Sequence, residues 1–293
     1  MKKIALLSVL LVLLSCFSKH TPPGPSDAFQ PARRVATLTD KTLDEVSGIT
    51  ASIANPGYLW AHNDSNSGPE VFLLDTALHV RLTCVLKDIE NRDWEDIAVG
   101  PGPDPTKNYV YVGEIGDNQA KYTYKYIYRF EEPVLALGQT RVEITDFTTL
   151  CFRLEDKKKD TETLMIDPAT KDLYVITKRE EPVHVYQLKY PYDGGDTLVA
   201  RNVAALPLTQ LVSGDILTAG GEILLKNYKK IYYWPNEAHL PPVSALAELP
   251  QEIPYEEEPQ GEAIAWRRDG GGFYTLSETK GKKKTYLYFY ARK

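Results

Sequence analysis

The chain has 293 residues, enough for one large domain or two small ones. Its hydrophobic content of 43% and charged content of 25% are those of a folded globular protein, and a net charge of −6 speaks against a nucleic-acid partner. Nineteen Tyr, 20 Pro and 19 Gly against two Met favour strands and turns over helices.

Residues 1–15 read as an export signal. Lys2 and Lys3 form a basic start, and Ile4 to Leu14 is apolar but too short for a mature membrane span. Leu13-Leu14-Ser15-Cys16 resembles a bacterial lipobox, which implies cleavage before Cys16 and its lipidation. Residues 16–32, with Thr21-Pro22-Pro23-Gly24-Pro25, then form a polar tether between an extracytoplasmic membrane face and a domain spanning 33–293. Cys84 and Cys151 lie in strand-like runs; no zinc spacing surrounds them, and two buried thiols are favoured over a disulfide.

The domain begins with a strand at Arg34 to Thr39. Four blocks of four short strands follow, separated by turns such as Asn55-Pro56-Gly57 and Asp167-Pro168-Ala169-Thr170. The first block starts at Ser47, the second at Glu95, the third at Glu162 and the fourth at Asp215. A long strand from Val142 to Phe152 is expected to close the second block, and a weak one near Ala245 to Leu249 the fourth. A fifth block from Glu262 has three strands, and the N-terminal strand supplies the missing one. Markers at 47, 95, 162, 214 and 262 recur at roughly the 40–50-residue period of four-stranded blades, with one longer interval. The fold class expected is all-β: a five-bladed β-propeller closed by an N-terminal strand, with six blades as the alternative if residues 235–259 held further strands.

The first residues of the innermost strands converge on one channel mouth. They are Ser47, Glu95, Glu162, Gly214 with its neighbours Ser213 and Asp215, and Glu262. Glutamates around a narrow axis repel one another, and a hard cation is the economical remedy. Calcium, with roughly six to eight oxygen ligands, suits carboxylates and hydroxyls; the lack of His argues against zinc. The second strand of each block returns to the same mouth, placing there His62 with Asp64, Asp117 with Asn118, Lys178 with Arg179, Lys226 with Tyr228, and Ser277 with Glu278. This arrangement points to an anionic small molecule held by Lys178, Arg179 and Lys226, with Glu278 alongside. His62, Asp64 or Asp117 would handle a proton during metal-assisted hydrolysis. The alternative is a binding or scaffold propeller in which calcium only stiffens the ring.

Ser47-Gly48-Ile49, Glu95-Asp96-Ile97-Ala98-Val99, Glu162 and Glu262 resemble the blade starts of calcium-dependent nucleotidases (apyrases). The resemblance implies a five-bladed propeller with an axial calcium; the fourth position departs from it, since Gly214 needs Ser213 or Asp215 to substitute. His62-Asn63-Asp64-Ser65, Asp93-Trp94-Glu95-Asp96 and Gly113-Glu114-Ile115-Gly116-Asp117-Asn118 look like exported bacterial propellers related to phytase-like and esterase-like proteins. That similarity implies the fold and no particular reaction. No Gly-x-Ser-x-Gly elbow or P-loop is present.

Overall fold

The computed structural model describes residues 24–192, 197–279, 281 and 283–293. The signal segment and residues 16–23 of the tether, Cys16 included, lie outside them. The strands are β1 (Arg33–Thr37); β2 (Val46–Ala51), β3 (Leu59–Asn63), β4 (Glu70–Leu74) and β5 (Val80–Leu86); β6 (Trp94–Pro101), β7 (Asn108–Glu114), β8 (Lys125–Glu131), β9 (Arg141–Ile144) and β10 (Thr148–Leu154); β11 (Thr161–Ile166), β12 (Leu173–Thr177), β13 (Val183–Leu188) and β14 (Leu198–Leu206). The last are β15 (Leu211–Ile216), β16 (Ile223–Asn227), β17 (Ile231–Trp234), β18 (Gln251–Ile253), β19 (Gly261–Trp266), β20 (Gly272–Ser277) and β21 (Tyr286–Ala291).

These strands form antiparallel meanders of four, β2–β5, β6–β8 with β10, β11–β14, β15–β18, and β19–β21 completed by β1. The innermost strands β2, β6, β11, β15 and β19 each contact the next, and β19 contacts β2, so the ring closes. This is a β-propeller, and β1 pairs antiparallel to β21, as its position in the sequence requires. Residues 235–259 hold only a short helix, α1 (Pro242–Leu246), and β18, so no further meander is built there. The strand expected at Ala245 to Leu249 is instead the end of that helix and the turn after it: Pro241-Pro242 starts the helix, and Leu246 packs between blades.

The stretch Val142 to Phe152 is likewise not one strand. Asp146 lies in a bend that separates β9 from β10. β10 pairs antiparallel to β8 of its own meander and also in parallel with β14 of the next, whereas β9 pairs in parallel with β5 of the preceding one. Crossing with it, Glu132 accepts hydrogen bonds from Ser52 Oγ (2.6 Å), Ile53 N (3.0 Å), Ala54 N (2.9 Å) and Trp60 Nε1 (2.9 Å), which ties the two meanders together.

The core is divided among the seams between neighbouring meanders. Trp60 and Leu73 meet Ile97 and Val110 at one seam, and Tyr111 and Phe152 meet Leu164 and Val175 at the next. Alternation decides which seam a residue fills: Ala263 faces the β2 side, whereas Ile264 faces β16. Hence the innermost strands are buried on both faces and read as near-continuous apolar runs. Each fully buried large side chain contributes about 1.5–3 kcal/mol relative to exposure. Phe29 seals the seam between the fourth and fifth meanders, its ring 5.2 Å from Tyr233, 6.0 Å from Trp266 and 5.0 Å from Phe273. Cys84 is a buried thiol and Cys151 a half-buried one, and they are not bridged.

Candidate functional site

Each innermost strand carries an irregularity at its second residue. The pairing of β2 with β3 skips Ser47, that of β6 with β7 skips Glu95, and that of β11 with β12 skips Glu162. In β15 the skipped residue is Val212, and in β19 it is Glu262. A bulge re-aims the side chain it carries and ends regular pairing. The fourth equivalent of Ser47, Glu95, Glu162 and Glu262 is therefore the apolar Val212, which corrects the expectation of Gly214 with Ser213 or Asp215. Ser213 and Asp215 serve other partners: Ser213 Oγ donates to Asp96 Oδ1 at 3.1 Å, and Asp215 Oδ2 accepts from Trp266 N at 2.9 Å. Ser47 also has a structural task, donating from Oγ to the Glu95 carbonyl at 2.6 Å across the first seam.

Immediately after the bulge in β6 lies Asp96, fully buried and reaching across the axis. Its Oδ1 accepts from Ile97 N and Ser213 Oγ, and its Oδ2 from Leu164 N at 3.0 Å. Burial pushes this carboxyl well up, with those donors working against the shift. Gly48 leaves room for it: a Cβ there would stand 2.7 Å from His62 Nε2 and 3.0 Å from Asp96 Cα. Asp96 thus ties β6 to β11 and β15.

At the mouth itself the bulges bring Glu95 and Glu162 together. Oxygens of Glu95, Asp160 and Glu162 lie within 4.8 Å of one another, and so do oxygens of Asp64, Asp93 and Glu95. Glu95 belongs to both groups. It is 4% exposed, the hydrogen-bonding side chain facing it is another carboxylate, Glu162, and among the described residues no amide, amine or hydroxyl donates to it. Burial, followed by the charge of Glu162, holds its carboxyl well above the ordinary range. Burial likewise raises Glu162 to about 7 and Asp93 to about 6, the latter with help from Asp64 and Asp160.

The bases expected to hold an anion are engaged elsewhere. Lys178 Nζ lies 2.8 Å from Glu162 Oε1 and 5.3 Å from the centre of the Tyr228 ring. Burial disfavours its charge, yet Glu162 and Tyr228 together keep the ammonium above the usual lysine range. Arg179 Nε donates to Asp160 Oδ2 at 2.6 Å, and its Nη2 meets Asn118 Oδ1. Lys226 is fully buried, donating to the carbonyls of Gly261 and Asn227, and burial lowers it to about 8.

The proton-handling candidates divide. His62 is fully buried under the mouth, its Nδ1 2.9 Å from Asn63 O and its ring edge-on to Trp94 at 5.7 Å. Burial lowers it to about 4, so it is a neutral packing residue out of reach of a ligand. Asp117 has both oxygens committed to the amides of Lys121 (2.7 Å) and Tyr122 (2.8 Å), and it shapes a loop. Asp64 does reach the mouth, half-buried, with its carboxyl raised mainly by burial. Glu262 and Glu278 lie on its other side; Glu262 accepts from Tyr228 Oη at 2.6 Å, and burial then Glu262 raise Glu278 to about 9.

Asp93, Asp160, Asp96 and Tyr228 were not among the expected ligands. The first two carried a readable signal. Asp93-Trp94-Glu95 and Asp160-Thr161-Glu162 place an acid two residues ahead of each central glutamate, a spacing that returns to the same side of a strand. All the oxygens here are hard donors, without His or Cys, and they fit a hard divalent cation.

No protein-family model matches the chain, and no curated protein matches it in sequence. Solved structures share its general shape at low identity. A PQQ-bound aldose sugar dehydrogenase from Streptomyces coelicolor aligns over 92% of this chain and 99% of its own, at 12% identity and a TM-score of 0.49. A gluconolactonase from Xanthomonas campestris aligns over 85% and 72%, at 10% identity and a TM-score of 0.45. The WD40 domain of Pan2 from Neurospora crassa aligns over 91% and 97%, at 11% identity and a TM-score of 0.45. Likeness at this level transfers no residue role and no activity to this chain.

Proposed function

We propose that the protein is a lipid-anchored, extracytoplasmic propeller whose acidic channel mouth binds a divalent cation, calcium by its donor chemistry, and through that ion an anionic small molecule. Glu95 carries this reading: it is a buried carboxylate with acids on two sides and, among the described residues, no hydrogen-bond donor. A buried charge of that kind costs several kcal/mol unless it is protonated or paired. Calcium accepts irregular oxygen geometry and suits this set better than magnesium, which demands a near-ideal octahedron. The blade-start resemblance to calcium-dependent nucleotidases agrees at Glu95, Glu162 and Glu262, and departs at Val212.

The mouth is too acidic to attract a bare anion. With Lys178 and Arg179 paired to Glu162 and Asp160, a phosphoryl or carboxylate group would gain its main attraction from a bound cation. The ion supplies positive charge and a polarised water, the chemistry that phosphoric-ester hydrolysis needs. His62, buried against the Asn63 carbonyl, and Asp117, with both oxygens on loop amides, are not available to take a proton from that water. The second reading is a binding propeller in which the ion only stiffens the ring.

Thermal melting of the domain from Ser26 onward, in EDTA and then with calcium or magnesium, tests the cation. A binding ion stabilises by roughly 2.7 kcal/mol at a hundredfold excess over its dissociation constant. A rise in Tm with calcium is expected; no rise with either ion, and no metal in the purified protein, defeats the proposal. Calcium-dependent release of phosphate from a phosphoric ester separates the enzyme from the scaffold.

A further inference from the structure

The mouth offers two places for a cation, and they are not equivalent. On the axis, Glu162 already holds Lys178 and Asp160 already holds Arg179 and the Asp117 amide. An ion entering there would have to displace a nearly buried ammonium and leave it unpaired. Off the axis, between the first and second meanders, Asp64 and Asp93 face Glu95 with no lysine or arginine paired to any of the three among the described residues.

Two further features single out this second place. Glu95 is buried, accepts from no donor among the described residues and is shared by both groups; the buried ammonium that acts on it at longer range, Lys125, donates to the Ile115 carbonyl and makes no ion pair with it. Gly116 lines the off-axis place, and a Cβ there would overlap both Glu95 Oε1 and Asp93 Oδ2. Its amide also donates to the Asp93 carbonyl at 3.1 Å, which holds the loop against the two acids. The chain thus keeps a bare backbone where these carboxylates converge.

We infer that the divalent cation sits off the axis, held by Asp64, Asp93 and Glu95, while Lys178 serves as the permanent cation of the axial carboxylates. This rests on the cation reading above and assigns its ligands. Asp64 and Asp93 are half-buried, so the ion borders solvent. Three carboxylates cannot fill the roughly six to eight positions of calcium unless all bind through both oxygens, so positions remain for water or for ligand oxygens. An ion placed so is suited to present an oxyanion, more than to stiffen a ring from its centre.

Terbium, a luminescent stand-in for calcium, reads the position directly, because Trp94 lies between two of the three ligands in sequence and can sensitise it. The domain, Asp93→Asn, Asp64→Asn and Glu162→Gln would be titrated with terbium and competed with calcium, their folding checked by near-ultraviolet circular dichroism. Expected is binding by the unmodified domain, at least a tenfold loss in both aspartate variants, and a change within about threefold in Glu162→Gln. Binding that survives both aspartate substitutions, or that Glu162→Gln abolishes, overturns the off-axis assignment and leaves a cation on the axis. No binding by the unmodified domain overturns the cation reading itself, and the assignment with it.

Discussion

Lys178 Nζ stands 2.8 Å from Glu162 Oε1, and both side chains are nearly withdrawn from water, at 10% and 3% exposure. A lysine in an open mouth would tolerate truncation within about 0.5 kcal/mol. This one is a partner in a buried pair. Removing one member of such a pair costs about 3–5 kcal/mol, because the other is left charged and unpaired. Lys178→Met is therefore expected to lower stability by that amount in urea melts. Lys178→Met with Glu162→Gln should recover most of the loss; if the double variant is as unstable as the single one, the pair does not govern the axis.

Glu95 gives the opposite expectation. Its charge is destabilising without a cation, so Glu95→Gln should stabilise the EDTA-treated domain at pH 8 by roughly 1–3 kcal/mol, the scale of relieving an unpaired buried group. The same substitution should abolish the calcium-dependent rise in Tm. A variant that is less stable in EDTA yet still responds to calcium would show that Glu95 has a donor partner in solution.

His62 provides a pH signature. Burial depresses its folded-state value to about 4 from 6.5. The unfolded chain therefore takes up a proton first as pH falls. The stabilising contribution is complete above about 6.5 and is lost progressively down to about 4. Between pH 7 and pH 5 the loss should be about 2 kcal/mol, since each unit of difference is worth 1.36 kcal/mol. The mouth carboxylates titrate in the same range with the opposite sign, so the measurement is the difference between the unmodified protein and His62→Gln. A pH-independent difference would mean that His62 is solvated.

Glu132 tests a part of the fold remote from the mouth chemistry. It accepts from Ser52, Ile53, Ala54 and Trp60 at the seam between the first two meanders. Glu132→Ala leaves buried donors without acceptors, each costing about 1–3 kcal/mol, and a total loss of roughly 3 kcal/mol or more is expected. Calcium affinity measured on the folded fraction should not change. A changed affinity would show that the crossing strand β9 positions the mouth.

The propeller was legible in the sequence because its determinants are local. Alternating apolar residues, turn-forming dipeptides and a blade-length period specify strands and their order, and a three-stranded last block calls for the strand near Arg34. The strand boundaries that failed, at 142–152 and 245–249, are places where a bend or a Pro-Pro start redirects a chain whose apolar pattern is ambiguous. The convergence of Glu95, Glu162 and Asp64 also followed from strand order, since ends of adjacent strands must share a mouth.

What only the tertiary structure decided is which of those groups have partners. The bulge in β15 falls on Val212 because pairing with β16 sets it there, and no residue within β15 announces that register. Lys178, Arg179 and Lys226 look like free cations along the chain, yet they are bound to Glu162, to Asp160 and to a carbonyl of the next meander. Sequence determines which charges arrive at the mouth. Their net availability depends on distances between strands far apart in the chain, and a few ångströms decide whether a carboxylate is neutralised by a neighbour or left, like Glu95, for a cation.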